Sequence, residues 1–249
     1  MWERHQLKSK AKEVLRTSYW KAFLVSLILA VAVDGCSYNF SGSSSSSGSW
    51  FGDFDMDDDF SIIVALLLLI FGIVIFLLTL AFRIFVASPL EVGGRRYFVR
   101  AAEDDVNLNY IGYAFSRTKY LDIVKAMLWR GLLNFLWFLL LIIPGIVKYY
   151  AYSMVPYILA DNPNIGYRRA VELSNRMTTG QKLQIWVLDL SFIGWYLLGI
   201  LALFIGVLFI LPYYNGTKAE LYLSLRQKAL DEGTSSYEEL NLTPPPYSY

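Results

Sequence analysis

Two hundred and forty-nine residues suffice for one or two soluble domains, but the composition excludes that class. Hydrophobic residues make up 55% of the chain and charged ones 17%, against about 25% charged in an average soluble domain. Mean hydropathy is +0.41, and the apolar residues stand in blocks, as in an all-α polytopic membrane protein. One histidine and one cysteine leave no His-based triad beyond His5, no Cys/His zinc site and no intramolecular disulfide. The net charge of +1 is uninformative; where the charges fall is not.

The N-terminal WERHQLKSKAKEVLRTSYW puts Leu7, Ala11, Val14 and Leu15 on one helical face and Lys8, Lys12 and Arg16 elsewhere. Residues 1–16 read as a basic amphipathic helix on an anionic leaflet, or as a cytosolic extension of the next segment. The apolar stretch Ala22–Val33, with Trp20 and Lys21 at its edge, predicts a first span over about 17–36. A cleaved signal peptide is the rival, and Asp34 before Cys36 argues against it.

Residues 37–60 form a Ser/Gly run followed by DFDMDDDF, a solvated extracytoplasmic loop unable to bury a core. Asp53, Asp55 and Asp57 imitate an EF-hand start. Asp58 stands where that loop needs Gly, and Val64 where it needs Glu, so no calcium site is expected. Ile62–Phe82 then runs 21 residues without a charge, enough to cross a hydrocarbon core of about 30 Å; the whole segment is expected over 61–86.

From Arg83 to Arg130 the chain is mixed. Arg95, Arg96 and Arg100 follow a Gly93-Gly94 break, and NYIGYAFSRTKYLDIVKAML interleaves aromatics with Arg117, Lys119 and Lys125. Such interleaving also marks nucleic-acid binders, but beside membrane spans headgroup contact is the reading, and no nucleic-acid partner is expected. Two further apolar regions follow. Each reads as a hairpin, over 128–143 with 146–160 and over 183–197 with 199–214, turning near Pro144-Gly145 and near Trp195–Gly199.

Length alone leaves single spans open for these regions, since Leu183–Tyr214 as one helix would measure about 48 Å. Charge decides in favour of six membrane segments with both termini cytoplasmic. Residues 1–21, 83–130, 161–182 and 215–249 then lie inside and carry six, eight, four and three Lys/Arg, 21 of the 22 in the chain. That is the positive-inside pattern, with Lys148 its exception. Between the hairpins, Asn164–Met177 is a basic amphipathic helix closed by Gly180. Thr217 and Glu220 have capping-box spacing for a short helix to Leu230. Residues 17–230 thus make one membrane domain, and 231–249 a polar, proline-rich disordered cytoplasmic tail. The steps Val155-Pro156-Tyr157 and Leu211-Pro212-Tyr213 suggest a degenerate repeat or shared helix-end chemistry.

Several strings resemble one bacterial family: LKSKAKEVLRTSYWKAFLVSLI, LLLIIPGIVKYYAYSMVPYILADNP, ELSNRMTTGQK, LSFIGWYLL and LPYYNGTKAELY. It is the integral membrane family known as domain of unknown function 975. Arg176 departs from the pattern, which more often has a second Met before Met177. The resemblance implies a multi-pass cell-membrane protein without an established activity. It also implies a distant similarity to the catalytically inert membrane portions of some glycerophosphodiester phosphodiesterases.

Ionisable groups at membrane depth are the natural functional candidates: Arg83, Arg130, Lys148 and Asp189. Snorkelling explains the arginines. Lys148 and Asp189 form a candidate intramembrane pair that binds substrate, relays protons or holds the hairpins in register; alternatively Lys148 sits at the outer interface. Arg168, Arg169 and Arg176 are candidate contacts for anionic headgroups or a membrane-protein partner. Asp161-Asn162-Pro163 reads as helix-start chemistry. No catalytic, cofactor or metal set can be assembled, and no nucleotide-binding loop is present. The leading function is a non-enzymatic membrane module organising lipid or protein partners. A transporter or exporter of a small molecule, peptide or lipid comes next, and an intramembrane enzyme last.

Overall fold

The computed structural model describes residues 2–34, 58–201 and 205–244; most of the Ser/Asp loop and the last five residues lie outside that range. The described chain is helical. Helix α1 (Arg4–Leu29) extends by a wide turn to Asp34. Helix α2 (Asp58–Phe82) leads through a wide turn, Arg83–Ala87, into α3 (Ser88–Ala102). A 3₁₀ segment, Leu108–Phe115, precedes α4 (Arg117–Leu140), α5 (Ile142–Ala151), α6 (Val155–Asp161), α7 (Tyr167–Met177), α8 (Lys182–Leu201) and α9 (Ile205–Asp231).

Proline accounts for several boundaries. Pro89 and Pro156 stand in the first turn of α3 and α6, where a missing N–H costs nothing. Pro144 likewise lies in the first turn of α5, so the chain breaks at the extended Leu141 (φ −160°, ψ 143°), three residues before the expected turn. Pro212 instead lies inside α9. The two aliphatic-Pro-Tyr steps therefore occupy different contexts and do not form a structural repeat. Thr217 and Glu220 also lie within α9, where Thr217 Oγ1 donates to the Tyr213 carbonyl at 2.8 Å and caps nothing.

The core gathers around α3, which packs against α1, α4, α6, α9 and the 3₁₀ segment. Gly93 and Gly94 are not a break but the contact surface of this helix. A Cβ at Gly93 would stand 2.1 Å from the Ile111 carbonyl oxygen, and one at Gly94 would stand 2.7 Å from the Leu29 side chain. Tyr97, Ile123, Ile158, Leu173, Phe192 and Tyr222 fill the interior. The apolar face of the N-terminal segment is spent here too. Leu7, Ala11 and Leu15 are buried as α1 packs along α9, so the apolar face of this helix is covered by protein. It runs on through residue 16, with one irregular residue, Ser18 (φ −125°, ψ 20°).

Four described helices are long and apolar enough to cross a bilayer, not six: residues 4–33, 63–102, 117–140 and 182–201. The expected segment 146–160 fails because α5 has ten residues, while every residue of the seven-residue α6 is buried in the core. The apolar arm opening α9 yields to polar residues after Tyr214. The hairpin pairings survive: α4 packs on α5, and α8 on α9. Their ends are bare. Leu139 to Ile143 are 61–77% exposed, and Leu201 is 82% exposed. None of the apolar window of α2 is buried. Of the tail 231–249, expected to be disordered, residues 232–242 instead form a turn that buries Leu240 and closes with Leu242 N–H donating to the Tyr237 carbonyl at 2.8 Å, and 245–249 lie outside the described residues.

Because backbone and not a movable side chain faces Gly93, Gly93→Ala is expected to lower stability by about 1–3 kcal/mol. Gly72→Ala, with nothing within 4 Å, is expected to be neutral. Thermal unfolding in detergent measures both.

Candidate functional site

The hairpins meet the core in a belt of charge. Asp189, two turns into α8, is held by Lys218 of α9, with Nζ 2.6 Å from Oδ1 and side chains 23% and 9% exposed respectively. The Tyr214 hydroxyl donates to the same oxygen at 3.4 Å, and the Tyr150 hydroxyl also reaches the carboxylate. The expected Lys148–Asp189 pair does not form. Lys148 lies over the Trp137 ring, 4.9 Å from its centroid, and 5.9 Å from that of Tyr152. The α4/α5 hairpin supplies Lys148 with its aromatic neighbour, as the α8/α9 hairpin supplies Asp189 with its cation.

Beside this pair, Glu91 Oε1 lies 3.7 Å from Arg95 and 3.6 Å from Arg130. Arg95 Nη1 donates to Asn215 Oδ1 at 2.6 Å, and Asn215 Nδ2 donates to Ser26 Oγ at 3.1 Å. This chain of contacts joins α3, α9 and α1. The Arg95 guanidinium also faces the Tyr157 ring at 5.4 Å.

A third cluster lies deeper in the core. Asp161 ends α6 and is buried, accepting from the Tyr222 hydroxyl at 2.7 Å and from Arg226 at 3.0 Å. Arg226 also binds Glu103. Asp161 is therefore a core ion-pair member and not a helix-start cap. Burial pushes its carboxyl above the usual range, and Arg226 opposes that. Asn162 ends the same helix and donates to the Glu239 carbonyl at 2.9 Å.

The three candidate headgroup arginines separate. Arg169 is consumed internally: its Nε donates to Glu239 Oε1 at 2.6 Å and its Nη2 to the Thr234 carbonyl at 3.0 Å. Arg176 pairs with Glu172 at 2.5 Å on the surface. Arg168 is exposed, 5.6 Å from the Tyr167 ring. Among the described residues, no group of three or more His, Cys, Asp or Glu is placed to hold a metal ion. A groove of about 1060 Å³ between α1 and α9 has Lys10, Glu13, Asp104, Glu220 and Lys228 on its walls. These are charges of both signs with no nucleophile–base pair.

Sequence reasoning missed Arg95, Asn215 and Lys218, which lie in stretches that read as cytosolic. Lys218 follows from where the hairpin turns: arms ending at Leu201 and resuming at Ile205 place 189 opposite 217, next to Lys218, whereas a turn near 197 places 189 opposite 205.

Removing one partner of a mostly buried pair leaves a stranded charge, at a cost of about 3–5 kcal/mol, while replacing both is close to neutral. Asp189→Leu and Lys218→Met are each expected to lower thermal stability, with most of the loss recovered in the double variant. Asp189→Leu with Lys148→Met is expected to be additive.

The Glu239–Arg169 pair predicts a pH response. Its hydrogen bonds from Arg169 hold the Glu239 carboxyl below its usual range. The stability this contributes is complete above the ordinary value of about 4.3 and is lost as the pH falls through the depressed one. Hydrogen exchange over residues 234–242 is expected to quicken below about pH 4, and to lose that pH dependence in Arg169→Gln.

No match to the chain is found among curated proteins or among solved structures. One family model does match, over residues 54–229, more than half of the chain. Of the helices of the belt, α1 lies outside that stretch and α9 runs two residues past it. The chain belongs to the family described as protein of unknown function DUF975.

Proposed function

We propose that the protein is a non-enzymatic module of the cell membrane that gathers anionic lipid, or a membrane-protein partner, around a helical core on the cytoplasmic face. Both termini are cytoplasmic, and α1 and α2 cross the bilayer. The two hairpins enter from the cytoplasmic side and turn back at mid-depth.

The observation that carries this reading is the length of apolar arm left free. Helix α4 is long enough to cross, but Ile123, Val124, Ala126 and Met127 are buried in the core. Beyond Arg130, residues 131–140 extend about 15 Å, half of a hydrocarbon core of about 30 Å. In α8, Ile185, Leu188 and Phe192 are buried. Beyond Asp189, residues 190–201 extend about 18 Å. Two blunt apolar wedges under a polar belt suit a protein that displaces and orders lipid in one leaflet. The transport reading stands second because Asp189, its main intramembrane charge, is taken up by Lys218 within the same hairpin.

Depth is the test. In a Cys36→Ser background, single cysteines at Leu141 and Leu201 are expected to resist impermeant thiol reagents from both faces. Spin labels at the same positions are expected to report mid-bilayer depth. A cysteine at Asn175 is expected to react only after permeabilisation. Labelling of the hairpin ends from outside intact cells would show full crossing and refute the wedge.

A further inference from the structure

Two buried guanidinium nitrogens where α3 meets α4, Arg95 Nε and Arg130 Nε, and Asn134 Oδ1 four residues further along α4 have no partner among the described residues. Orphans of this kind are rare in folded proteins and call for an explanation. Glu91 does not satisfy them. At 3.7 and 3.6 Å its oxygen attracts both guanidinium groups without hydrogen-bonding either. Arg95 is partly compensated by Asn215 at 2.6 Å. Arg130 is not. Among the described residues, its acceptor is the Met127 sulfur at 3.9 Å, a weak one. A guanidinium with five N–H donors and a side chain 15% exposed thus has no hydrogen-bonded oxygen among the described residues. Two cations against one carboxylate leave a positive charge over. Asn134, one turn along the same face of α4, adds a free acceptor for a hydroxyl.

We propose that Arg130, with Arg95 beside it, binds a phosphate-bearing anion at the α3/α4 junction. A planar fork of donors matches two phosphate oxygens, and those oxygens supply the acceptors the site lacks. The lipid source of that phosphate rests on the half-depth reading above. With the end of α4 at the bilayer midplane, Arg130 lies about 15 Å away, at the edge of the hydrocarbon where lipid phosphates begin.

The test uses the purified full chain in maltoside detergent, which carries no phosphate. Thermal protection is measured with added phosphatidylglycerol, with diacylglycerol of the same tails, and with inorganic phosphate. Phosphatidylglycerol is expected to protect the wild type where diacylglycerol does not, and Arg130→Gln is expected to weaken that binding at least about tenfold. Protection by inorganic phosphate would assign a soluble source to the same site. Glu91→Gln supplies a readout of opposite sign: removing the competing carboxylate is expected to tighten binding, whereas a purely structural role predicts loss, and this decides the matter if Arg130→Gln does not fold. Equal protection by phosphatidylglycerol and diacylglycerol, with none by phosphate, overturns the proposal, as does undiminished binding by a folded Arg130→Gln. Reactive hairpin ends in the depth experiment would refute the wedge while leaving the phosphate titration to stand or fall alone.

Discussion

The close approach of backbone to helix α3 is the constraint on which the remaining architecture depends. A hydrogen at Gly93 lets the Ile111 carbonyl reach a distance no Cβ allows, and Gly94 does the same for Leu29 of α1. Helix α3 is also the continuation of α2, the most apolar helix of the chain. One run of about 40 residues therefore carries a bare apolar helix at one end and the packing centre at the other. The core is built where the helices become polar, and the apolar segments radiate from it.

That arrangement explains how many charges come to lie inside the protein. Charges removed from water must meet partners. Lys218 meets Asp189, Arg226 meets Asp161 and Glu103, and Arg95 meets Asn215 and Glu91. Tyrosines serve as second partners: Tyr222 on Asp161, Tyr214 on Asp189 and Tyr157 under Arg95. A phenol suits this role because its ring packs like an apolar residue while its hydroxyl bonds a charge. Several of the chain's 18 tyrosines thus belong to the core and not to an interfacial belt.

The apolar blocks, the two hairpin pairings and a helix ending at Met177, though it begins at Tyr167 and not at Asn164, were legible in the sequence because each is a local pattern. The α1 face was legible as amphipathic, but amphipathicity does not say what covers the apolar side; α9 does so, some 200 residues away. The site was less legible for the same reason. Asp189 and Lys148 are the opposite charges nearest the centres of their apolar blocks, yet pairing follows the hairpin, and a turn misplaced by a few residues hides Lys218. Arg95, with Gly93 and Gly94 just before it, looked like a loop because glycine and charge are the usual marks of one. Here glycine serves contact and the charge serves a buried network.

On the wedge reading Lys148 is no exception to the charge pattern. The hairpin breaks at Leu141, and Lys148 lies seven residues down the returning arm, over Trp137 of the outgoing one. Seven residues are about 10 Å, which from mid-depth brings an amine with a long apolar stem within reach of the side it started from. On the wedge reading all 22 Lys and Arg stand on one side of the bilayer, and no base needs a partner inside the hydrocarbon. A crossing hairpin strands Lys148 on the far side. The half-depth reading, whose depth rests on packing and arm length, thus leaves no base for the charge pattern to except.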